Sequence, residues 1–192
     1  DSIVEKSTYE NYEIIIVENN STTTEIKELY GQYQKEHDNI KVVTFEGTFN
    51  YSAVNNLGVK HATGEYILLL NNDTEVISSN WMEEMLMYAQ REDVGAVGAK
   101  LFYADRTIQH AGVVLALGAH RTAGHCHYKM PLQNLGYMGR LCYAQNMSAV
   151  TGACLLVKKA LFEEVGGLEE SFAISLNDVD FCLKLREKGY LN

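Results

Sequence analysis

Three polar clusters in this chain have residue types and spacing suited to chemistry. The first is Asn71-Asn72-Asp73-Thr74-Glu75, which follows the uninterrupted apolar run Tyr66-Ile67-Leu68-Leu69-Leu70. A carboxylate just past a rigid strand can hold a hard divalent cation, and a cation there can grip a diphosphate. Asp73 is the candidate ligand. A polar turn that merely caps the next element explains the same residues, so both readings stay open.

The second cluster is Asn177-Asp178-Val179-Asp180 at the start of an apparent helix. Asn177 suits a helix cap, and Asp180, three residues on, fits a variant of the capping box. Asp178 then remains as either a complement to the positive end of the helix dipole or a general base aimed at a substrate hydroxyl. The third cluster, Glu18-Asn19-Asn20-Ser21-Thr22, offers a carboxylate and two amides. Such a set can hydrogen-bond the base edge and ribose of a nucleotide, while a simple helix cap by Ser21 or Thr22 is the alternative.

Other chemistries find no support in the spacing. No Ser-His-Asp or Cys-His arrangement can be argued, and Gly95-Ala96-Val97-Gly98 lacks the third glycine of a dinucleotide loop. His125-Cys126-His127 has metal-ligating residue types, but neighbours along a strand point to opposite faces and do not converge.

The elements that must carry these clusters alternate in type. Glu13 to Val17 reads as a strand, Thr24 to Glu36 as a polar helix, Ile40 to Phe45 as a strand, Tyr51 to His61 as a helix, and Tyr66 to Leu70 as a strand buried on both faces. Strands separated by helices imply right-handed crossovers and a parallel sheet. In such sheets ligands bind beyond the carboxyl ends of the strands, where the first two clusters to emerge along the chain lie. Trp81 to Gln90 reads as a helix with Trp81, Met82, Met85 and Leu86 on its core face. Further on, Val94 to Phe102, Val113 to Leu117 and Ala149 to Val157 read as strands. Lys158 to Val165 is a short helix stopped by Gly166-Gly167, and Asp178 to Lys188 is the last helix. Residues 120–146 form a long polar stretch of the kind that shapes binding sites.

With 192 residues, 46% of them hydrophobic, the chain can bury a core in one domain. A formal charge of -9 and a pI near 5.1 argue against a nucleic-acid or anionic-membrane surface, so a phosphorylated substrate would need a metal counter-charge. No apolar stretch approaches the roughly 20 residues of a membrane span, and the start is too polar for a signal peptide. Four singly placed cysteines, Cys126, Cys142, Cys154 and Cys182, lack zinc or disulfide spacing, which makes a reducing, cytoplasmic location the expectation. Asp1 to Val4 reads as the tail of a helix under way and Tyr190 to Asn192 as the beginning of a strand, as in a piece of a longer polypeptide.

Taken together, these segments resemble the family 2 glycosyltransferases. The resemblance rests on Tyr12 to Thr22, on Asn55-Asn56-Leu57-Gly58 with Ala62 to Ile67, on Leu70 to Val76, on Thr151-Gly152-Ala153-Cys154-Leu155-Leu156-Val157, and on Asn177 to Arg186. It implies an α/β GT-A fold with a mostly parallel, Rossmann-like central sheet flanked by helices and a smaller acceptor-side region. Residues 1–102 would bind the nucleotide sugar and residues 103–192 the acceptor, within one domain spanning 1–192.

The resemblance further implies a nucleotide-diphosphate sugar donor, a Mg²⁺ or Mn²⁺ ion, and inverting transfer to a carbohydrate or lipid-linked acceptor. Asp73 matches the last aspartate of the family's metal motif, with Asn71 and Asn72 beside it. Asp178 matches the general base, and Glu18, with Asn20 nearby, the contact to the nucleotide base. Asn55 stands where many relatives carry an arginine that touches phosphate. Asn71 replaces the first aspartate of the metal motif, and Asn177 the glutamate before the base. The family's first strand would precede residue 1 and a metal-binding histidine would follow residue 192.

Asp105 to Gly112 is similar to the branch that builds bacterial surface polysaccharides, rhamnosyl transferases included, which points to the cytoplasm and the inner face of the membrane. Three alternatives are a sugar-phosphate nucleotidyltransferase, a phospho-receiver domain and a non-catalytic binding module derived from a transferase.

Overall fold

A computed structural model describes residues 1–117 and 121–192. The chain runs α1 (Ser2–Lys6), β1 (Ile14–Glu18), α2 (Thr24–Glu36), β2 (Ile40–Thr44), α3 (Tyr51–His61), β3 (Tyr66–Leu70), α4 (Trp81–Ala89), β4 (Ala96–Gly98), β5 (Leu101–Phe102), β6 (Ile108–His110), β7 (Val113–Leu115), β8 (Ala123–His125), β9 (Cys154–Lys158), α5 (Lys159–Glu164) and α6 (Asn177–Glu187). His120, the first residue of the long polar stretch, lies outside the described residues. The rest of that stretch holds β8 and a 3-10 turn at Tyr137–Gly139.

The central layer is β3-β9-β4. Its strands are apolar on both sides because both sides are covered. Ile67, Leu69, Leu155 and Val157 face Val59 of α3, Leu161 and Phe162 of α5, and Phe181, Cys182 and Leu185 of α6. Leu68, Leu70, Cys154 and Leu156 face Trp81, Met85 and Leu86 of α4. The core role expected for the apolar face of α4 therefore holds.

The expectation of a mostly parallel sheet is corrected. β1 and β2 pair in parallel, from Ile14 opposite Ile40 to Glu18 opposite Thr44. β3 and β4, however, both pair antiparallel with β9, Leu68 opposite Leu156 and Val97 opposite Leu156. An apolar run reports that both faces are buried, but the direction of its partner is set by a segment far along the chain.

Two strands expected from their apolar content are shorter than their composition suggests. The 94–102 run is divided after Gly98, where an added Cβ would lie 2.5 Å from the Val150 side chain, and the chain turns into the separate β5-β6 pair. In the 149–157 run, Ala149 forms an isolated bridge with Val113, residues 151–153 turn, and only Cys154–Lys158 enters the sheet. At the other end of the chain Leu191 forms a parallel bridge with Val94, and the Asn192 side chain joins the Ala96 N–H (3.1 Å) to the Cys182 carbonyl (2.9 Å).

One set of contacts matters most for function. The amino-terminal half of α3 is stitched to the 168–173 loop that leads into α6. Ser52, fully buried, donates to the Phe172 carbonyl at 2.8 Å, and Asn56 both donates to the Leu168 carbonyl (2.8 Å) and accepts from its N–H (3.0 Å). The start of α6 is thereby held against α3.

Candidate active site

Asp178 is the second residue of α6. Leu176, in the left-handed conformation at φ 65°, takes the cap position expected of Asn177, and Asn177 begins the helix. Asn177 is buried and bonds both ways, donating to the Phe172 carbonyl at 3.2 Å and accepting from the Asp178 N–H at 2.8 Å. Asp180 does not close a capping box. Its carboxylate pairs instead with Lys184 one turn on, at 2.8 Å.

The Asp178 carboxylate is fixed through both oxygens. Oδ1 accepts from the Val179 N–H at 2.8 Å and Oδ2 from the Gly152 N–H at 3.0 Å. Each ionised oxygen retains lone-pair capacity for a further donor. Gly152 also accepts from the Tyr51 hydroxyl at 2.8 Å, and an added Cβ would lie 2.6 Å from that hydroxyl oxygen, so only glycine fits. Burial, followed by the charge of Asp178, pushes the Tyr51 phenol well above its ordinary value, so it stays protonated as a donor.

Asp178 opens into a cavity of about 260 Å³. It is lined by Tyr51, Asn71 and the 151–153 turn together with Tyr103, Gln109, His125 and Tyr128. The structure thus brings Asn71 and Asp178 together across the carboxyl end of β3. Asn71 is anchored there by its N–H, which donates to the Ala153 carbonyl at 3.0 Å, and by its carbonyl, which accepts from Thr74 Oγ1 at 2.8 Å.

The other residues expected at the site, Glu18, Asn20, Asn55, Asn72 and Asp73, do not line this cavity. Asn72 and Asp73 are exposed on the turn just after Asn71, and among the described residues the Asp73 carboxylate makes no hydrogen bond or ion pair. No group of three histidine, cysteine or acidic side chains that could cage a metal occurs among the described residues, His125-Cys126-His127 included. The ligand chemistry at Asp73 therefore fits an ion shared with a substrate's phosphates. Mg²⁺ is commonly held that way, by one or two carboxylates plus phosphate oxygens and water.

Glu18 ends β1, with Oε1 accepting from the Ser21 N–H at 2.5 Å and Oε2 buried without a partner. Asn20 is left-handed at φ 59° and donates to the Gly47 carbonyl at 2.6 Å, and Asn19 donates to the Phe45 and Gly47 carbonyls, so these amides shape the loop after β2. Asn55 donates to the Tyr51 carbonyl within α3 at 2.8 Å and does not line the cavity.

Sequence reasoning assigned no role to Tyr51, Gln109, His110 or His125. The signal available for the histidines was a polar Gln109-His110 pair inside a short apolar segment. His110 is 1% exposed, and its Nδ1 lies 2.9 Å from Nδ1 of His125.

The fold is of the GT-A type. Its solved neighbours include a mannosyltransferase from Pyrobaculum calidifontis in complex with GDP-Man and Mn²⁺, at TM-score 0.68 and 15% identity, covering 98% of this chain and 47% of that one. Another is GalNAc-T7 with UDP, GalNAc and Mn²⁺, at TM-score 0.72 and 17% identity, covering 99% of this chain and 37% of that one. The family is set by sequence: residues 1–166 match the glycosyl transferase family 2, and the chain belongs to it.

Among curated relatives, an uncharacterized protein of Sinorhizobium fredii is 46% identical over 193 residues, covering all of this chain and 21% of the relative. An O-antigen biosynthesis protein of Myxococcus xanthus is 37% identical over 190 residues, covering 98% of this chain and 15% of the relative. The chain thus spans about a fifth or less of the length of these two. Among the described residues no helix is long and apolar enough to cross a membrane.

Proposed function

We propose that this chain is the catalytic portion of an inverting glycosyltransferase that moves a sugar from a nucleotide-diphosphate donor to an acceptor hydroxyl. The observation that carries the reading is Asp178, held by two main-chain N–H groups at the wall of a cavity. A base this firmly oriented works by positioning. Asp178 accepts the acceptor's proton as the hydroxyl oxygen bonds to the anomeric carbon. The bond from that carbon to the donor phosphate breaks, and the nucleoside diphosphate leaves with the electron pair.

Residues 1–102 carry the donor side in this reading and residues 103–192 the acceptor side. The unpartnered Glu18 Oε2 suits a donor from the nucleotide base or ribose, because a buried carboxylate oxygen without a partner is costly. Asp73, with Asn71 and Asn72 beside it, would hold Mg²⁺ or Mn²⁺. The ion would supply counter-charge for the diphosphate. The Mn²⁺ in the solved neighbours' complexes supports the class of cofactor.

The relative in O-antigen biosynthesis supports a role in surface-polysaccharide assembly; in this reading the acceptor is a carbohydrate or lipid-linked hydroxyl and the reaction takes place in the cytoplasm at the inner face of the membrane. Family membership favours transfer over the nucleotidyltransferase and phospho-receiver alternatives.

The test is a thermal-shift screen of nucleotide sugars on the full-length protein with Mn²⁺, followed by assay of the stabilising donor for hydrolysis or transfer. A ligand at about 100 times its Kd adds roughly 2.7 kcal/mol to apparent stability. A nucleotide sugar that stabilises and turns over supports the proposal. Stabilisation without turnover, with any acceptor, supports the non-catalytic module.

A further inference from the structure

The transfer reading does not use His110, a buried imidazole at the end of β6. Its Nε2 faces two main-chain donors, the Gly112 N–H at 3.3 Å and the Thr151 N–H at 3.4 Å. A backbone N–H can only donate, so Nε2 must present its lone pair and the proton of the neutral ring must sit on Nδ1. That Nδ1 meets Nδ1 of His125 at 2.9 Å, with the two rings edge to face at 84°. One of two facing nitrogens must accept. When both rings are neutral, His125 Nδ1 is therefore the acceptor and the proton of that ring sits on Nε2.

His125 is exposed and lines the same cavity as Gln109, Tyr103, Tyr128 and Asp178. The two tyrosine hydroxyls are 3.3 Å apart, and Lys129 covers one face of Tyr103 at 3.7 Å from the ring centre. Aromatic bodies with polar tips suit the mixed C–H and hydroxyl surface of a sugar ring. The volume of about 260 Å³ is below the roughly 300–1,000 Å³ of sites for drug-sized ligands, so it suits one ring better than a whole nucleotide sugar. Neither Glu18 nor Asp73 lines it.

We propose that the wall formed by Tyr103, Gln109, His125 and Tyr128 is the subsite for the acceptor's pyranose ring. In it His125 donates from Nε2–H to an acceptor oxygen, and buried His110 is the positioning residue that fixes this tautomer. The assignment of the ring as acceptor rests on the transferase reading. Burial, followed by the charge of His125, lowers the His110 pKa to about 3, which keeps its ring neutral and the relay in one register.

The experiment is nitrogen-detected NMR on full-length protein labelled at histidine, at pH 7.5. It is run with and without methyl pyranosides of glucose, galactose, mannose, N-acetylglucosamine and rhamnose, alongside a nucleotide-sugar thermal shift with Mn²⁺. The expected result is His125 protonated at Nε2 alone, with that nitrogen shifted by at least one glycoside. Saturation transfer to that glycoside should weaken in His125→Ala and recover in His125→Gln, whose amide reaches the Nε2 position. A roughly 2- to 10-fold loss of glycoside affinity is the size expected of one hydrogen bond. In His110→Phe the His125 tautomers should mix; a mixture already present in the unaltered protein overturns the proposal. Nucleotide sugars that bind while every glycoside leaves His125 unshifted also overturn it, with the transferase reading intact. A glycoside that shifts His125 while no nucleotide sugar binds keeps the subsite and removes its assignment to an acceptor.

Discussion

The Gly152 N–H donates to Oδ2 of Asp178 at 3.0 Å, joining the turn before β9 to the first turn of α6. Through its carbonyl the same residue holds the Tyr51 hydroxyl of α3. Three elements distant in sequence thus meet at one residue, and the orientation of the candidate base depends on that meeting.

Gly152→Ala tests the meeting point. The new Cβ would lie 2.6 Å from the Tyr51 oxygen, so the phenol or the turn must move. Overpacking of this kind costs about 1–3 kcal/mol. Denaturant unfolding should show a loss in that range, and adding Tyr51→Phe, which removes the clashing atom, should restore part of it. Strict additivity of the two changes would contradict the contact.

Acid should act on His110. Its pKa falls from the ordinary 6.5 to about 3 on folding, through burial first and the charge of His125 second, so the unfolded chain binds more protons between those values. The resulting stability is complete above pH 6.5 and is lost as pH falls toward 3, by up to about 1.4 kcal/mol per unit. Unfolding midpoints at pH 7 and pH 5 should therefore differ more for the unaltered protein than for His110→Gln. Equal differences would remove His110 from the acid response.

Much of the frame was legible locally. The helices 24–36 and 51–61 and the strand 66–70 fall where apolar spacing and turn residues put them, because each is specified by its own residues. β9 was not legible. Cys154–Lys158 lies between β3 and β4, antiparallel to both, a pairing between distant parts of the chain that no local pattern encodes. The candidate site divides in the same way. Asp178 is marked by its place at a helix start, whereas Tyr51, Gln109 and His125 come from α3, β6 and β8 and line one cavity only after folding. Asn20 and Asn55 show the converse: polar residues in suggestive places whose amides serve the backbone nearby.

Metal dependence should track Asp73. Its carboxylate has no protein partner among the described residues, so Asp73→Ala removes no internal contact and should leave the melting point nearly unchanged. Calorimetry on full-length protein should show donor binding strengthened by Mn²⁺ in the unaltered protein and indifferent to Mn²⁺ in the variant. Equal Mn²⁺ enhancement in both would place the ion elsewhere.

The most direct test of the central claim is the single-turnover rate of full-length Asp178→Asn with the donor found by thermal shift. Loss of a positioned base costs about 10²- to 10⁴-fold, and the asparagine keeps an oxygen for one of the two main-chain donors. The account predicts a fall of that size with donor affinity retained. Transfer at the unaltered rate would contradict it.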